Sequence, residues 1–112
     1  MSAPRLNRQM VLEAPETVSD GAGGFTQGWV PLGMIWAEVS PRSGREMAQN
    51  GAAVSRMSYR IIVRAAPVGD EQRPAAQQRF REGSRIFNID AVAEHGMGGR
   101  YLQCWAQEEQ VV

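Results

Sequence analysis

Few side chains of this 112-residue sequence have the chemistry that a catalytic centre requires. The chain has one cysteine, Cys104, and one histidine, His95, which is too few for a zinc site built from clustered Cys and His ligands. Cys104 lies in the apolar run YLQCWA and is predicted to be a small core residue. His95 precedes a glycine-rich segment and is predicted to lie in a solvent-exposed turn. We therefore expect no enzymatic activity and no bound metal or cofactor.

The charged residues cancel in number but are unevenly distributed. Twelve arginines and twelve acidic residues give a formal net charge of zero, and no lysine occurs. Residues 42–85 carry nine of the arginines against four acids, whereas both flanking segments are acidic. The planar guanidinium suits ion pairs between subunits or contacts with phosphates. Codon usage in a GC-rich genome is the simpler explanation for the absence of lysine.

Aromatic residues are interleaved with arginines in this basic middle segment, notably Tyr59 and Phe80. Such a combination occurs on barrels that bind single-stranded nucleic acid. However, Tyr59 shares its predicted strand face with Ile61 and Val63, which favours a core position. Zero net charge also provides no general attraction to phosphates.

The elements that would position these residues are short strands separated by glycine and proline. The clearest strand is residues 55–65, where every second residue from Met57 to Val63 is apolar or aromatic. Pro15 is predicted to end the first strand, and residues 31–33 are predicted to separate the second strand from the third. The predicted strands are residues 6–13, 25–30, 34–40, 55–65, 78–82, 84–93 and 100–108.

About six strands with no core helix predict an all-β fold, a small antiparallel β-barrel or sandwich. A chain of this length suits a single domain over residues 1–112. The predicted barrel core consists of Met10, Leu12, Trp29, Trp36, Val39, Tyr59, Ile61, Val63, Phe87, Ile89, Val92, Leu102 and Cys104.

Residues 41–54 interrupt the strand pattern. They are polar, contain glycine and lack alternation, so we predict a long inter-strand loop with a short helical turn at residues 44–49 that Gly51 would end. Loops of this length are uncommon in compact domains and often carry function.

No apolar run approaches the roughly 20 residues that span a bilayer. The N-terminal residues also lack the apolar stretch of a signal peptide. We expect no membrane association and a protein that is made in a cytoplasm.

The order of residues resembles the phage head–tail joining family, also called head-closure or stopper proteins, which includes proteins of phage-like gene-transfer particles. Each matching piece is weak alone, but their order and spacing along nearly the whole chain are specific. The absence of lysine and a longer loop at residues 68–77 are the departures. The resemblance is carried by residues 6–8, Met10, Leu12, residues 20–25, Trp29, residues 36–39, residues 43–46, residues 59–61, Arg64, Gly83, Arg85, residues 87–89, Val92, Leu102 and Cys104.

This resemblance implies a virion neck protein, assembled in a bacterial host cytoplasm. Members are similar β-barrels that form a ring of about twelve copies below the portal and its adaptor. The ring retains packaged double-stranded DNA and presents a surface to the tail terminator or other tail proteins. A long loop projects into the channel, and residues 42–54 match it here. The channel-loop and ring contacts implied are Arg42, Ser43, Gly44, Arg45, Glu46, Met47, Gln49, Asn50 and Gly51.

Two alternatives stay open. The chain could be another neck or tail-terminator ring subunit, although an adaptor should be mostly helical and a tail terminator mixed α/β. A small nucleic-acid-binding β-barrel is the second alternative. Whether the particle is an infectious phage, a prophage or a gene-transfer particle is left open by the sequence.

Overall fold

The computed structural model describes residues 3–49 and 52–109, with side chains described for residues 3–42 and 57–109. All regular structure in these ranges is β-strand, and no helix is present in them. None of the described residues form a helix long and apolar enough to cross a membrane. The strands are β1 (Arg8–Ser19), β2 (Phe25–Gln49), β3 (Ala52–Arg64), β4 (Arg79–Glu82), β5 (Arg85–His95) and β6 (Tyr101–Glu108).

The six strands form one antiparallel sheet that closes on itself. Their order around the ring is β1-β2-β3-β6-β5-β4, and pairing of β1 with β4 closes it. Closure occurs where Val11, Leu12 and Glu13 lie opposite Arg81, Phe80 and Arg79. The predicted all-β fold of about six antiparallel strands is confirmed, and its form is a closed barrel, which gives each strand of the ring two neighbours.

Alternate residues of each strand point into the barrel and form its core. The largest side chains that are fully buried include Phe80, Phe87, Met10, Leu12 and Ile61. Tyr59 packs against this core and meets the ring of Phe87 edge to face, with 5.2 Å between ring centroids. The remaining buried members of the core are Ile35, Ala37, Val63, Ile89, Leu102, Cys104 and Ala106.

Two residues predicted for the core lie outside it. Trp36 is 52% exposed because its neighbours Ile35 and Ala37 take the inward positions of β2, so the prediction for Trp36 is wrong. Trp29 is half-buried but is not part of the core cluster, and the guanidinium of Arg79 lies over its ring at 4.1 Å. Val39 and Val92 are half-buried residues packed at the edge of the core.

Prolines lie inside strands that they were predicted to end. β1 continues through Pro15, where it has β2 as a neighbour but no longer pairs with β4. A proline is tolerated there because the missing N–H would face an open strand edge. β2 continues past Pro31 because Leu32 is an extra residue that forms a bulge, and Gly33 beside it has φ of 155°, which residues with a side chain rarely adopt.

β2 is the longest strand, with 25 residues, and it changes partners along its length. Its first half pairs with β1 up to Ala37, and its second half pairs with β3 from Ala37 onward. A straight strand of this length would extend about 80 Å at 3.3 Å per residue. The longest dimension of the molecule is 52 Å, so β2 must bend, and its bulges at Leu32 and Arg42 are the irregular positions where it can do so.

Two hairpin arms therefore extend beyond the closed barrel. We define the β1–β2 arm as residues 14–19 paired with residues 25–30, past the last pair of β1 with β4. We define the β2–β3 arm as residues 44–49 paired with residues 52–57, past the last pair of β3 with β6. The arms point away from opposite ends of the barrel because they lie at opposite ends of β2.

The predicted loop at residues 41–54 is therefore wrong as a description of the backbone. Residues 41–49 belong to β2 and residues 52–54 to β3, so the predicted helical turn at residues 44–49 is strand. The barrel core, whose burial of one strand face specifies a period of two, does not constrain strand residues beyond the barrel, so their sequence need not alternate. Asn50 and Gly51 lie outside the described residues.

Candidate functional site

The predicted channel-loop residues are brought together on the β2–β3 arm. Arg42 is exposed at the bulge where the arm leaves the barrel. Beyond it, the backbone of residues 43–49 pairs with that of residues 52–58, so that Arg45 lies opposite Arg56 and Glu46 opposite Ser55. The side chains of Ser43, Arg45, Glu46, Met47 and Gln49 are outside those that the structure describes, as are Asn50 and Gly51 altogether. Their contacts stay a prediction.

The bulge at Arg42 follows directly from the local sequence. Pro41 lies opposite Tyr59 and Ser43 lies opposite Ser58, which leaves Arg42 without a partner on β3. Proline has no N–H to donate to the ladder and is commonly found at such irregular positions. The bulge re-aims the strands at the point where the arm begins.

A group of ion pairs holds the strands that close the barrel. Arg79 Nε donates to Glu13 Oε1 at 2.7 Å, and Arg81 Nε donates to Glu13 Oε2 at 3.0 Å. Glu13 is 5% exposed, and no other charged residue among those that the structure describes is buried. Arg8 pairs with Glu82 across the same two strands, with Nε 2.9 Å from Oε2.

These hydrogen bonds determine the ionisation of the glutamates. Burial acts to raise the pKa of Glu13, but the hydrogen bonds from Arg79 and Arg81 outweigh it, and the pKa is lowered from 4.5. The hydrogen bond from Arg8 lowers the pKa of Glu82 in the same direction. Both carboxylates are therefore ionised at neutral pH.

A second charged group lies between β3, β5 and β6. Arg85 donates from Nε to Glu108 Oε2 at 2.7 Å and from Nη2 to Glu108 Oε1 at 3.1 Å. The hydroxyl of Tyr59 also donates to Glu108 Oε1 at 3.1 Å. The hydrogen bond from Arg85 is the main reason that the pKa of Glu108 is lowered, while burial raises the pKa of Tyr59.

Three of the nine arginines of the basic middle segment are therefore used in ion pairs within the chain. Arg79, Arg81 and Arg85 of the basic middle segment pair with Glu13 and Glu108 of the acidic flanks. These pairs span 23 to 68 positions in sequence. Arginines committed to carboxylates of their own chain are poorly placed to bind phosphates.

The aromatic residues considered for nucleic-acid binding are also occupied. Phe80 is fully buried. Tyr59 packs on Phe87 and the core, with its hydroxyl bonded to Glu108. Neither ring is free to stack on a base, which removes the main support for a single-strand-binding barrel.

The residues with catalytic or metal-binding chemistry are dispersed. Cys104 is buried in the barrel, and burial raises the pKa of its thiol to about 12, so it is a neutral thiol. His95 is the last residue of β5 and not part of a turn; it is half-buried, with Nδ1 3.0 Å from Oε1 of Gln103. Among the described residues no group of three or more His, Cys, Asp or Glu side chains is close enough to hold a metal ion.

An apolar groove on the outside of β2 was not predicted from the sequence. It has a volume of about 480 Å³, and the residues that line it include Leu6, Met34, Trp36, Arg64 and the loop residue Gln72. Met34 is 58% exposed and Trp36 52%. Met, Trp and Arg are the residue types enriched at protein interfaces. The signal in the sequence for this groove was Trp36. The prediction placed Trp36 in the core, whereas the structure places it on the surface.

Comparison with known proteins agrees with this geometry. The sequence profile of the phage head completion protein family matches residues 1–109. A chain in a solved structure described as the virion of a native gene transfer agent particle superposes with a TM-score of 0.85 and is 51% identical. The match covers 98% of this chain and 100% of that one. A search of the curated proteins found no significant match.

The chain belongs to the phage head completion protein family. The predicted relationship to phage head-joining proteins is confirmed, as is the predicted place in a phage-type virion. The family is one of structural virion proteins.

Proposed function

We propose that this protein is a head-closure subunit of the neck, between the DNA-filled head and the tail of a phage-like particle. Copies would form a ring of about twelve beneath the portal and adaptor, with tail proteins bound on the opposite side. The β2–β3 arm would extend from each copy toward the channel and help to retain packaged DNA. A structural role, without enzymatic activity, is part of this proposal.

The observation that supports the proposal best is the β2–β3 arm itself. Its strands continue past the barrel by about six residue pairs, roughly 20 Å at the rise of a β-strand. The closed barrel supplies a base for it, because each strand of the ring has a neighbour on either side over part of its length. An arm of this length can reach beyond its own subunit, as a channel-closing element must.

Family membership and the similar chain of a gene transfer agent virion support the location in the particle. The identity of 51% over nearly all of both chains favours a similar place in a similar particle. The solved particle is a gene transfer agent, which favours that kind of particle for this protein as well.

Repetition around a symmetry axis would give the arm its strength. An arm with open edges can form hydrogen bonds with its neighbours across the pore when copies are arranged in a ring. We propose that Arg42 or Arg45 pairs with Glu46 of the adjacent copy. Charge reversal at Arg45 should then impair ring assembly, DNA retention or both, and if it leaves both unchanged this pairing is wrong.

Shortening the arm tests the channel function directly. Residues 45–56 are replaced by Asn-Gly, which favours a tight two-residue turn between the paired residues Gly44 and Met57. We expect particles that still contain the protein but hold several-fold less nuclease-protected DNA than particles with the native arm. Normal DNA retention with the shortened arm would contradict the channel role, and absence of the native protein from the neck would contradict the location.

A further inference from the structure

We propose that the β1–β2 arm of one copy docks into the apolar groove of a second copy, and that repetition of this contact closes the ring. The inference rests on the ring proposed above and names the two surfaces that would form it. The partner is therefore a second copy of this chain, and the groove is the receiving surface.

One face of the β1–β2 arm has the composition of a docking surface. The register places Ala14, Glu16 and Val18 of β1 opposite Val30, Gly28 and Thr26 of β2, so these six positions share one face. Val18 is 47% exposed, Val30 is 38% exposed, and Glu16 is exposed. We call this the inner face; its apolar residues are Ala14, Val18 and Val30, and its polar ones are Thr26 and the acidic Glu16.

The groove has the complementary composition. Its lining is mainly apolar, with Met34 and Trp36 exposed, and Arg64 is the one charged residue among those that line it. The groove borders an open edge of β2, since β2 pairs with β3 only from Ala37 onward. An open strand edge beside an apolar groove is the setting in which an extended strand of a partner binds.

Charge favours this pair of surfaces. Residues 14–30 contain two acids, Glu16 and Asp20, and no basic residue. Asp20 is engaged in the turn of the arm, where Oδ1 accepts hydrogen bonds from the N–H groups of Ala22 and Gly24. Glu16 is therefore the acid that can meet Arg64 when the inner face covers the groove.

The groove is also bordered by other charged groups. Asp70 and Glu71 precede Gln72 in the adjoining loop and are exposed. Arg73 donates from Nη1 to the carbonyl of Ala66, which places its guanidinium next to the groove, and the backbone of Arg100 accepts from the N–H of Ala65. Arg64 is the charged residue that lines the groove itself, and on this ground we assign it the preference for an acidic partner.

No described residue outside the β1–β2 arm pairs with its open strand edges. A two-stranded ribbon is marginally stable alone, and both of its strand edges are open beyond the barrel. Contact between two different surfaces of identical subunits is heterologous, and it generates a closed ring when the rotation between copies is right. Each copy would then give its arm to one neighbour and receive the arm of the other.

Cysteine pairs in assembled particles test the contact. Val18→Cys is combined with Met34→Cys, and the particles are oxidised mildly and analysed on a non-reducing gel. Within one chain the two positions are about 25 Å apart along β2, too far for a disulfide, whose Cα atoms lie within roughly 7 Å. Cys104 is buried and does not interfere. We expect a ladder of oligomers that differ by one 12.3 kDa chain.

A matched control uses the opposite face of the same arm. Phe25 is 73% exposed but lies opposite Ser19, on the other face from Val18. Phe25→Cys with Met34→Cys should give roughly tenfold less cross-linked oligomer, because its sulfur points away from the groove. Equal ladders from the two pairs would overturn the assignment of the inner face.

Charge exchange provides a second measurement. Arg64→Glu should lower the number of copies per particle by about tenfold, since like charges facing across an interface are strongly disfavoured. Glu16→Arg in the same chain should restore it. Particles that contain the protein but give no ladder, or no restoration, would overturn the arm–groove contact while leaving the proposed neck function intact. If the native protein were found to be absent from the neck of the particles, the proposed function itself would be wrong.

Discussion

The barrel and its two arms differ in how many neighbours each strand has. In the barrel each strand has two neighbouring strands around a closed ring, and its inward-pointing side chains are buried in a common core. In the arms each strand has one partner and open edges, and the described side chains of the β1–β2 arm are mostly exposed. Burial of apolar surface is the dominant stabilising term, so the free energy of folding resides in the barrel. The arms are then free to be selected for contacts with other molecules.

The largest expected effect is in the barrel core. Phe87→Ala removes a fully buried ring that packs against Tyr59, and should lower the free energy of unfolding by about 3–5 kcal/mol. The same substitution at Phe25, on the exposed arm, should change it by less than about 0.5 kcal/mol. Urea denaturation of the two variants measures both. Similar losses would mean that the arm contributes to stability as the core does.

A smaller effect is expected where the β1–β2 arm joins the barrel. Glu13→Gln leaves the guanidinium groups of Arg79 and Arg81 without their carboxylate and should cost about 2 kcal/mol. Glu16→Gln is the matched control, because Glu16 is an exposed acid of the same strand, and it should be nearly neutral. Thermal unfolding followed by circular dichroism compares the two, and a neutral Glu13→Gln would show that packing alone closes the barrel.

Acid should weaken the ion pairs that arginines form with Glu13, Glu82 and Glu108. The folded-state pKa values of Glu13, Glu82 and Glu108 are lowered from 4.5, so the stabilisation from their ionised forms is fully present above pH 4.5. It is lost as the pH falls through the lowered pKa values. The melting temperature should therefore drop between pH 5 and pH 3, as roughly expected for salt-bridged carboxylates. Glu13→Gln should show a shallower drop, and an equal drop would assign the effect to other groups.

The smallest effect on stability is expected from the β2–β3 arm. Replacement of residues 45–56 by Asn-Gly removes strand pairs that lie beyond the barrel, and should change the free energy of unfolding by less than about 0.5 kcal/mol. Urea denaturation of the native and shortened proteins measures this difference, provided that the two proteins have the same m-value. A loss of 2 kcal/mol or more would mean that the arm supports the barrel, and that its effect on DNA retention could not be separated from folding.

Much of the barrel was predictable because burial on one face leaves a period of two in the sequence. Ile61 and Val63 of β3 and Leu102 and Cys104 of β6 follow that period and are buried. The continuity of β2 could not be read in this way, since Pro31 and Gly33 resemble a strand end when the bulge at Leu32 is unknown. The phase of the pattern at Trp36 could not be read from the sequence, because Met34 and Trp36 alternate with Ile35 and Ala37 and both sets are apolar.

The candidate sites were less predictable for a different reason. The pairing of Glu13 with Arg79 and Arg81 joins residues 66 and 68 positions apart, which only the closed topology brings together. The groove is formed by β2, the end of β3 and a loop, and no local pattern marks such a surface. The β2–β3 arm was recognised as unusual because its residues do not alternate, but an open arm and a loop have the same signature in sequence.

The length of β2 has a mechanical consequence. All twelve residues of β1 pair with its first half, and its second half pairs with β3, so one covalent strand connects the two arms through the wall of the barrel. Tension applied along β2 loads these hydrogen bonds in shear, where many must break together, and not one after another as in unzipping. A pull on the arm at one end is thus transmitted to the arm at the other end with little extension. A ring of such subunits would behave as a set of stiff struts between the structures on its two sides.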